Sequence, residues 1–397
     1  AYGSDVGTGL TAVGSRALRN ISDSGSYSTA IGYYAGFHAS GSYNTFVGAD
    51  AGKGGTTSAP YSSGTKNTAV GYQALTGFTT AVNNVAVGYE SGYNITTGYQ
   101  LTTIGYRAGR ALTTQTNNTF IGFDAGIGNT GSSNVAIGNQ SLNASAGGSN
   151  NIAIGGASLF KITGDYNTAI GILAMETHTT GERNIAIGHE AMDDTDSGSD
   201  SLSSEDNMFI GYRAGSGTWQ NATSNRNVAI GNYTMDSALD AALDNTAVGY
   251  YALSSITSGD YNTALGSNAG LSLTSGFSNV TIGYLAGDTM TDTDNTVLIG
   301  VNAGQAINSA DADGSVGVGK DALQDLTSGQ NNTAVGYRAL ADLTTGDRNT
   351  SVGYGALDAI TTGNDNVALG WGAGGSTSNT TGTNNTFLGG SAGNQII

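Results

Sequence analysis

A short pattern of alternating polar, small and aliphatic positions recurs along the whole chain. It reads Asn-Thr-Ala-Val-Gly-Tyr-Gln-Ala-Leu at residues 67–75 and returns in related form at 184–192 and 332–340. Numbered from its central glycine as position 0, the pattern has 22 copies, most often 17 residues apart. The central glycines are residues 14, 32, 48, 71, 88, 105, 122, 138, 155, 171, 188, 211, 231, 249, 266, 283, 300, 319, 336, 353, 370 and 389. Tandem self-similarity of this kind indicates a repeat architecture.

Each position of the motif has its own chemistry. Position −1 is Val, Ile or Leu in every copy, position −4 is Asn in 17 copies, and position −2 is mostly Ala. Position +3 is Ala, Ser or Thr throughout, whereas position +4 is Leu or Met in 11 copies and Gly in 11. Most copies have a second glycine at −7, such as Gly164 and Gly346. We expect this glycine to supply the positive φ of a tight turn.

The segment from −4 to −1 is small or β-branched and alternates, which predicts a short strand. The central glycine is expected to mark a bend before a second short strand. One unit is then one coil of an all-β, parallel β-solenoid. Stacked coils lie about 4.8 Å apart and place the Asn residues at −4 in a hydrogen-bonded ladder.

The array fills residues 1–397, which predicts a single repetitive domain, expected to be a segment of a longer fibre. The aliphatic −1 residues are expected to point into the core. The Ala-rich positions −2 and +3 would then form a small-residue surface on the opposite side. Small residues permit close approach of another chain, so we expect a homotrimer packed through these surfaces.

Charged residues at position +2 provide a test of register. Stacking predicts ladders of alternating ion pairs on an exposed face, each pair worth about 0.2–1 kcal/mol. The predicted ladders are Glu90 with Arg107 and Asp124, Glu190 with Arg213, and Asp321 with Arg338.

Composition excludes several functional classes. Acidic residues outnumber basic ones 30 to 13, which gives a net charge of −17 and argues against a nucleic-acid groove or an anionic membrane surface. There is no cysteine, so disulfides and thiolate metal sites are absent. No apolar run approaches the ~18 residues of a transmembrane helix. We expect no membrane insertion in this segment.

Catalytic and metal-binding constellations are sparse. His38, His178 and His189 do not have the spacing of metal ligands, and no catalytic, cofactor-binding or metal-binding residue is predicted. The acidic stretch Asp193–Asp206 is interpreted as a solvated loop, with a weak calcium site as the alternative. The insertion Lys53–Lys66 is expected to be a surface loop, although such loops often bind partners.

Two rows of side chains have both structural and functional interpretations. Tyr occupies position +1 in nine copies and Trp371 in one; such a row can stabilise a sheet or stack on sugar rings, and we favour the structural role. Thr occupies position −3 in 12 copies, which would suit an ice-binding face. Because −3 shares its side with −1, we expect it to point inward.

The repeated Asn-x-Ala-Val/Ile-Gly motif resembles the head repeats of trimeric autotransporter adhesins and the repeats of bacteriophage tail fibres. The form Asn-Thr-Ala-Val-Gly-Tyr-x-Ala-Leu, present at residues 67–75 and 332–340, is closer to the tail fibres, as is the 17-residue period. The resemblance covers essentially the whole chain. It implies a left-handed, trimeric β-roll that reaches a host surface and has no catalytic activity or cofactor in its repeats.

These observations predict a non-enzymatic structural segment, a rigid trimeric shaft that attaches a virion to a host cell. Its location would be extracellular, in a virion tail fibre. Its partners would be two further copies and a host receptor, either a glycan or a surface protein. The alternative is a bacterial cell-surface adhesin or extracellular appendage. A tailspike-like enzyme that processes polysaccharide is a third hypothesis.

Overall fold

Each copy of the motif contributes one three-residue strand, at positions −3 to −1, in the computed structural model of the chain. The structure describes residues 8–21, 25–144, 147–195, 203–220, 222–375 and 380–394, which form two compact units, Ala1–Glu190 and Ala191–Ile397. The first unit contains β1 (Thr11–Val13), β2 (Thr29–Ile31), β3 (Thr45–Val47), β4 (Thr68–Val70), β5 (Val85–Val87), β6 (Thr102–Ile104), β7 (Thr119–Ile121), β8 (Val135–Ile137), β9 (Ile152–Ile154), β10 (Thr168–Ile170) and β11 (Ile185–Ile187).

The second unit repeats this arrangement. It contains β12 (Met208–Ile210), β13 (Val228–Ile230), β14 (Thr246–Val248), β15 (Thr263–Leu265), β16 (Val280–Ile282), β17 (Val297–Ile299), a 3-10 turn (Ala310–Ala312), β18 (Val316–Val318), β19 (Thr333–Val335), β20 (Thr350–Val352), β21 (Val367–Leu369) and β22 (Thr386–Leu388). The prediction of a parallel β-solenoid with a repeat of about 17 residues is therefore confirmed. The prediction of one domain over residues 1–397 stays a prediction.

Within each unit, every strand pairs in parallel with the strand of the next coil. Equivalent positions lie opposite one another: Ala86 is paired with Thr103, and Thr103 with Phe120. The second unit has the same register, with Ala229 opposite Ala247. The prediction that like positions stack on like is confirmed in both units.

Outside these strands, the described residues of the coils form turns, bends and two isolated bridges, so the expected second strand does not form there. Backbone φ is positive at positions −5, 0, +2 and +4 in every copy, and four left-handed residues per coil leave no extended run after the glycine. The glycine at −7 does not adopt positive φ, contrary to expectation. It is required for space, because a Cβ on Gly148 would lie 2.7 Å from the carbonyl oxygen of Gly164 in the next coil.

The core of each coil is built from positions −2, +3, +4 and +7. Position −2 is buried in every strand except β1, and nearly all +3 residues are buried with it. The sequence reasoning missed position +7, where Phe78, Ile95 and Leu112 are fully buried. Side chains from +4 and +7 fill the interior, so that only a small residue fits at −2 in most coils.

Coils with phenylalanine at −2 have no side chain at +4. All four copies with phenylalanine at −2 have glycine at +4, and a Cβ on that glycine would overlap the phenyl ring. The pairs are Phe46 with Gly52, Phe120 with Gly126, Phe209 with Gly215, and Phe387 with Gly393. In these four coils, the phenyl ring therefore occupies the space that a +4 side chain fills in other coils.

The asparagine ladder at −4 is present and buried. Oδ1 of Asn245 accepts hydrogen bonds from the backbone N–H (2.9 Å) and Nδ2 (3.1 Å) of Asn262 in the next coil. Nδ2 of Asn245 also donates to the carbonyl oxygen of Gly259 at 2.7 Å. The ladder thus satisfies polar groups that the interior would otherwise leave without partners.

Candidate functional site

The −3 and −1 residues of the strands lie on the outer side of each coil. We call the −3 and −1 residues of β1–β11, and separately those of β12–β22, the strand face of each unit. All −1 residues are exposed or half-buried, and none is buried. The prediction that −1 points into the core is therefore wrong, because the interior already contains the +4 and +7 side chains and accepts the smaller −2 residue instead.

The strand face is largely aliphatic and carries no charge. Every −1 residue is Val, Ile or Leu, and the −3 residues are Thr in 12 copies and Val, Ile or Met in the others. Residues such as Ile137, Ile170 and Leu265 are among the exposed large hydrophobic side chains. Contiguous exposed apolar surface of this kind marks an interaction site in soluble proteins.

Two further expectations change with this orientation. The Ala-rich −2 and +3 positions lie in the core, so they do not form a surface on which another chain can pack. The threonines at −3 point outward rather than inward, because strand alternation places −3 on the same side as −1. Thr68 and Thr119, for example, are half-buried on the strand face.

Aromatic side chains at +1 form exposed stacks along the coils. In the first unit, the rings of Tyr72, Tyr89, Tyr106 and Phe123 follow one another with centroids 5.1–5.5 Å apart and interplanar angles of 7–25°. Stacked rings cover each other's faces and present their edges to solvent. Within this row, the geometry favours the structural role over sugar stacking.

The charge ladders at +2 form only in part. Arg107 binds Asp124 through two hydrogen bonds of 2.9 and 2.7 Å, as predicted. Glu90 instead pairs with Arg110, at 2.8 Å. Arg338 pairs with Asp342 rather than Asp321, at 3.4 Å. Glu190 and Arg213 belong to different units.

Sequence reasoning missed a second set of ion pairs between coils, at position −5. Arg226 binds Asp244 through two hydrogen bonds of 2.7 and 2.8 Å, and Arg348 binds Asp365 at 2.7 and 3.0 Å. These Arg–Asp hydrogen bonds raise the pKa of both guanidinium groups and lower the pKa of Asp244 and of Asp365. The sequence contained a signal for these ion pairs, because position −5 is Arg in one copy and Asp in the next.

The three histidines lie at separate places. His178 occupies the +7 core position, where its Nε2 lies 3.1 Å from Nδ2 of Asn184. His38 stacks on Tyr61, and burial lowers the pKa of its imidazole. His189 lies 3.5 Å from Glu190. Among the described residues, no group of three or more His, Cys, Asp or Glu side chains could hold a metal ion.

The two insertions differ in how much can be described. Residues 53–66 form a loop beside a shallow cleft of about 660 Å³, lined by Ser40, Thr56, Pro60 and Tyr61 among others. Ser40 already donates to the carbonyl oxygens of the loop. Residues 196–202, within the acidic stretch Asp193–Asp206, lie outside the described residues, so the calcium alternative there stays a prediction.

No helix in the described part of the chain has the length and hydropathy needed to span a membrane. Comparison with models of known protein families gives no match, and no curated protein sequence matches the chain.

Proposed function

We propose that this chain is a non-enzymatic segment of an extracellular attachment fibre. Three copies pack through their strand faces into a rigid, left-handed shaft that holds a virion to a host cell surface. The observation that carries the proposal is the strand face itself, an uncharged aliphatic surface that a single chain leaves open to solvent.

The occupant of the strand face is best matched by further copies of the same chain. In a chain of net charge −17, the eleven strands of each unit place no charged side chain on their strand face, which favours a partner that is apolar over the same distance. Another copy has the same spacing between coils, so its strand face matches this one coil by coil. Burial of apolar surface contributes about 25 cal/mol per Å², so a long shared face gives a stable assembly.

The oligomer is tested by light scattering and native mass spectrometry of the whole chain. We expect a trimer, and we expect Ile137→Glu/Ile170→Glu to dissociate or weaken it, since the variant buries like charges together. The matched control is Asn94→Glu/Thr97→Glu, which adds the same charge at exposed positions outside the strands. A stable monomer of the unaltered chain would overturn the trimer.

The biological setting is tested by electron microscopy with antibodies against the chain. Labelling of the tail fibres of virions supports the proposal. Labelling of a cell envelope would favour instead the bacterial adhesin or appendage. Degradation of polysaccharide by the purified chain would favour the tailspike-like enzyme and overturn the non-enzymatic assignment.

Ice binding is a second candidate because the Thr residues at −3 point outward on the strand face. Their hydroxyl and methyl groups are spaced by the coil repeat in β1–β4, where all four −3 residues are Thr. The row is interrupted from β5 by Val85, Val135 and other aliphatic residues, which favours the protein interface. Thermal hysteresis of the purified chain would support ice binding, and ordinary ice growth would exclude it.

A further inference from the structure

One aromatic stack in the second unit ends on an open indole face. Tyr337, Tyr354 and Trp371 stack in order at position +1, with the last two ring centroids 6.4 Å apart and inclined by 23°. The next coil has Gly390 at this position, so no +1 side chain of that coil stacks on the other face of the indole. Trp371 is 62% exposed and is the one ring of this stack with a face that no following ring covers.

A small pocket of about 150 Å³ adjoins the indole. Its lining includes Trp371, Asp358, Asn394 and Gly375. A Cβ on Gly375 would come within 2.8 Å of Oδ1 of Asp358, so glycine keeps this space open. The volume is below the ~300–1,000 Å³ of pockets that enclose a drug-sized ligand, and it suits one unit of a longer molecule.

Two side-chain acceptors, on Asp358 and Asn394, belong to residues that line the pocket. Oδ1 of Asn394 is buried and has no hydrogen-bond partner among the described residues. Burial raises the pKa of Asp358, while Arg338 lowers it and Asp342 raises it to a smaller extent. A buried acceptor without a partner is unfavourable, and a ligand that donates a hydrogen bond would satisfy it.

We propose that Trp371, Asp358 and Asn394 form a subsite for one neutral saccharide unit. The apolar face of a sugar ring covers the open indole face, and its hydroxyl groups donate to the carboxylate of Asp358 and to Oδ1 of Asn394. This proposal deepens the proposed attachment function, on which it rests for the biological role of the sugar.

The geometry distinguishes this ligand from charged ones. A quaternary ammonium group is bound by an aromatic cage, whereas Tyr354 lies parallel to Trp371 and the pair offers only one open face. Acidic sugars are disfavoured by Asp358, by neighbouring Asp342 and by the net charge of −17. The subsite therefore selects an uncharged, hydroxyl-rich ligand.

Tryptophan fluorescence provides a direct test on the whole chain. The other tryptophan, Trp219, is fully buried, so a change in emission or in acrylamide quenching reports on Trp371. We expect glucose, galactose, mannose or N-acetylglucosamine oligomers to protect Trp371 from quenching. No protection by any of these sugars, or protection by choline and not by sugars, would overturn the proposal.

Variants separate stacking from general effects. We expect Trp371→Ala to lower the affinity for the bound sugar at least about tenfold, measured by saturation-transfer NMR, and Asp358→Asn to lower it less. The control is Tyr284→Ala, an exposed aromatic residue at the same +1 position between Ser267 and Val301. An equal loss of sugar affinity in the control variant would contradict the proposed subsite.

Different measurements test the trimeric shaft and the saccharide subsite, so either proposal can fail while the other stands. A trimer without saccharide binding retains the shaft and removes the subsite. A monomer that binds saccharide through Trp371 retains the subsite and removes the trimeric shaft.

Discussion

Phe120 and Gly126 share one space in the core of their coil: a Cβ on Gly126 would lie 2.5 Å from Cε2 of the Phe120 ring. In the next coil, the same space is divided between Ala136 and Leu142, both fully buried. Leu142 has a φ of 52° and Gly126 a φ of 59°. A leucine at position 126 would therefore adopt a backbone conformation that the fold already uses for leucine.

This relationship predicts compensation between two substitutions. We expect Phe120→Ala to lower the free energy of unfolding by about 3–5 kcal/mol through a cavity, and Gly126→Leu to lower it by overpacking. The double variant should be more stable than the sum of the two losses implies, because leucine fills the cavity. Urea denaturation of the four proteins measures the coupling. Simple additivity would show that the two positions do not share this space.

The central glycines predict a second, position-specific loss. Gly138 has a φ of 139°, and a Cβ on it would lie 2.5 Å from the carbonyl oxygen of Gly155. We expect Gly138→Ala to lower the thermal midpoint strongly, since both the backbone conformation and the adjacent coil oppose it. Gly156→Ala is the control, because its nearest such contact is 3.9 Å. Equal midpoints for the two variants would contradict the close stacking of coils.

The asparagine ladder predicts that one side chain supports two coils. Asn245→Ala removes the acceptor for two hydrogen bonds from Asn262 and a donor to Gly259. We expect about 1–3 kcal/mol of destabilisation for each buried group left without a partner, and faster hydrogen exchange at the Asn262 amide. Exposed Asn139→Ala should change stability by less than about 0.5 kcal/mol. Unchanged exchange at Asn262 would contradict the ladder.

Two sets of carboxyl groups have pKa values shifted in opposite directions, and they predict how the stability of the protein depends on pH. Burial raises the pKa of Asp288, Asp313 and Asp325. Their contribution to stability is therefore fully present below the unfolded pKa of about 3.9 and is lost as pH rises through the higher folded pKa. We expect the thermal midpoint to rise as pH falls from 7 towards 4, helped by the reduction of the net negative charge.

At pH values below this range, stability falls rather than rises as the pH is lowered. The Arg-paired carboxyls of Asp244 and Asp365 have lowered pKa values, so the stability they provide is lost as pH falls through those values. Thermal unfolding at pH 7, 5.5, 4.5 and 3 measures both limbs. Asp288→Asn should flatten the first limb, because it removes one titrating group. A midpoint that falls steadily from pH 7 to 4.5 would contradict the assignment.

Much of the coil architecture followed from periodicity. The repetition of Asn at −4 and Gly at 0 specified which residues stack, because parallel pairing places equivalent positions opposite one another. Arg107 and Asp124 were paired correctly for the same reason. Arg338 was not, because a +2 arginine can also reach Asp342 in its own coil, and side-chain choice between two acceptors is not encoded in the repeat.

The candidate sites were less accessible to sequence. The aromatic row at +1 could be identified from the sequence. The pocket that places Asp358 beside Trp371 could be identified only from the structure. The strand face was assigned to the wrong side, since hydrophobicity alone placed Val and Ile inside and Ala outside.

By itself, the sequence determined the number of coils, their register and the residues that form the buried ladder. These features depend only on the repeat, because identical units have a common stacking geometry. Only the tertiary structure decided which side of each strand faces the interior. That choice depends on the volume left inside the coil: Leu142 at +4 leaves room for alanine at −2, whereas a coil with Gly126 at +4 accommodates Phe120.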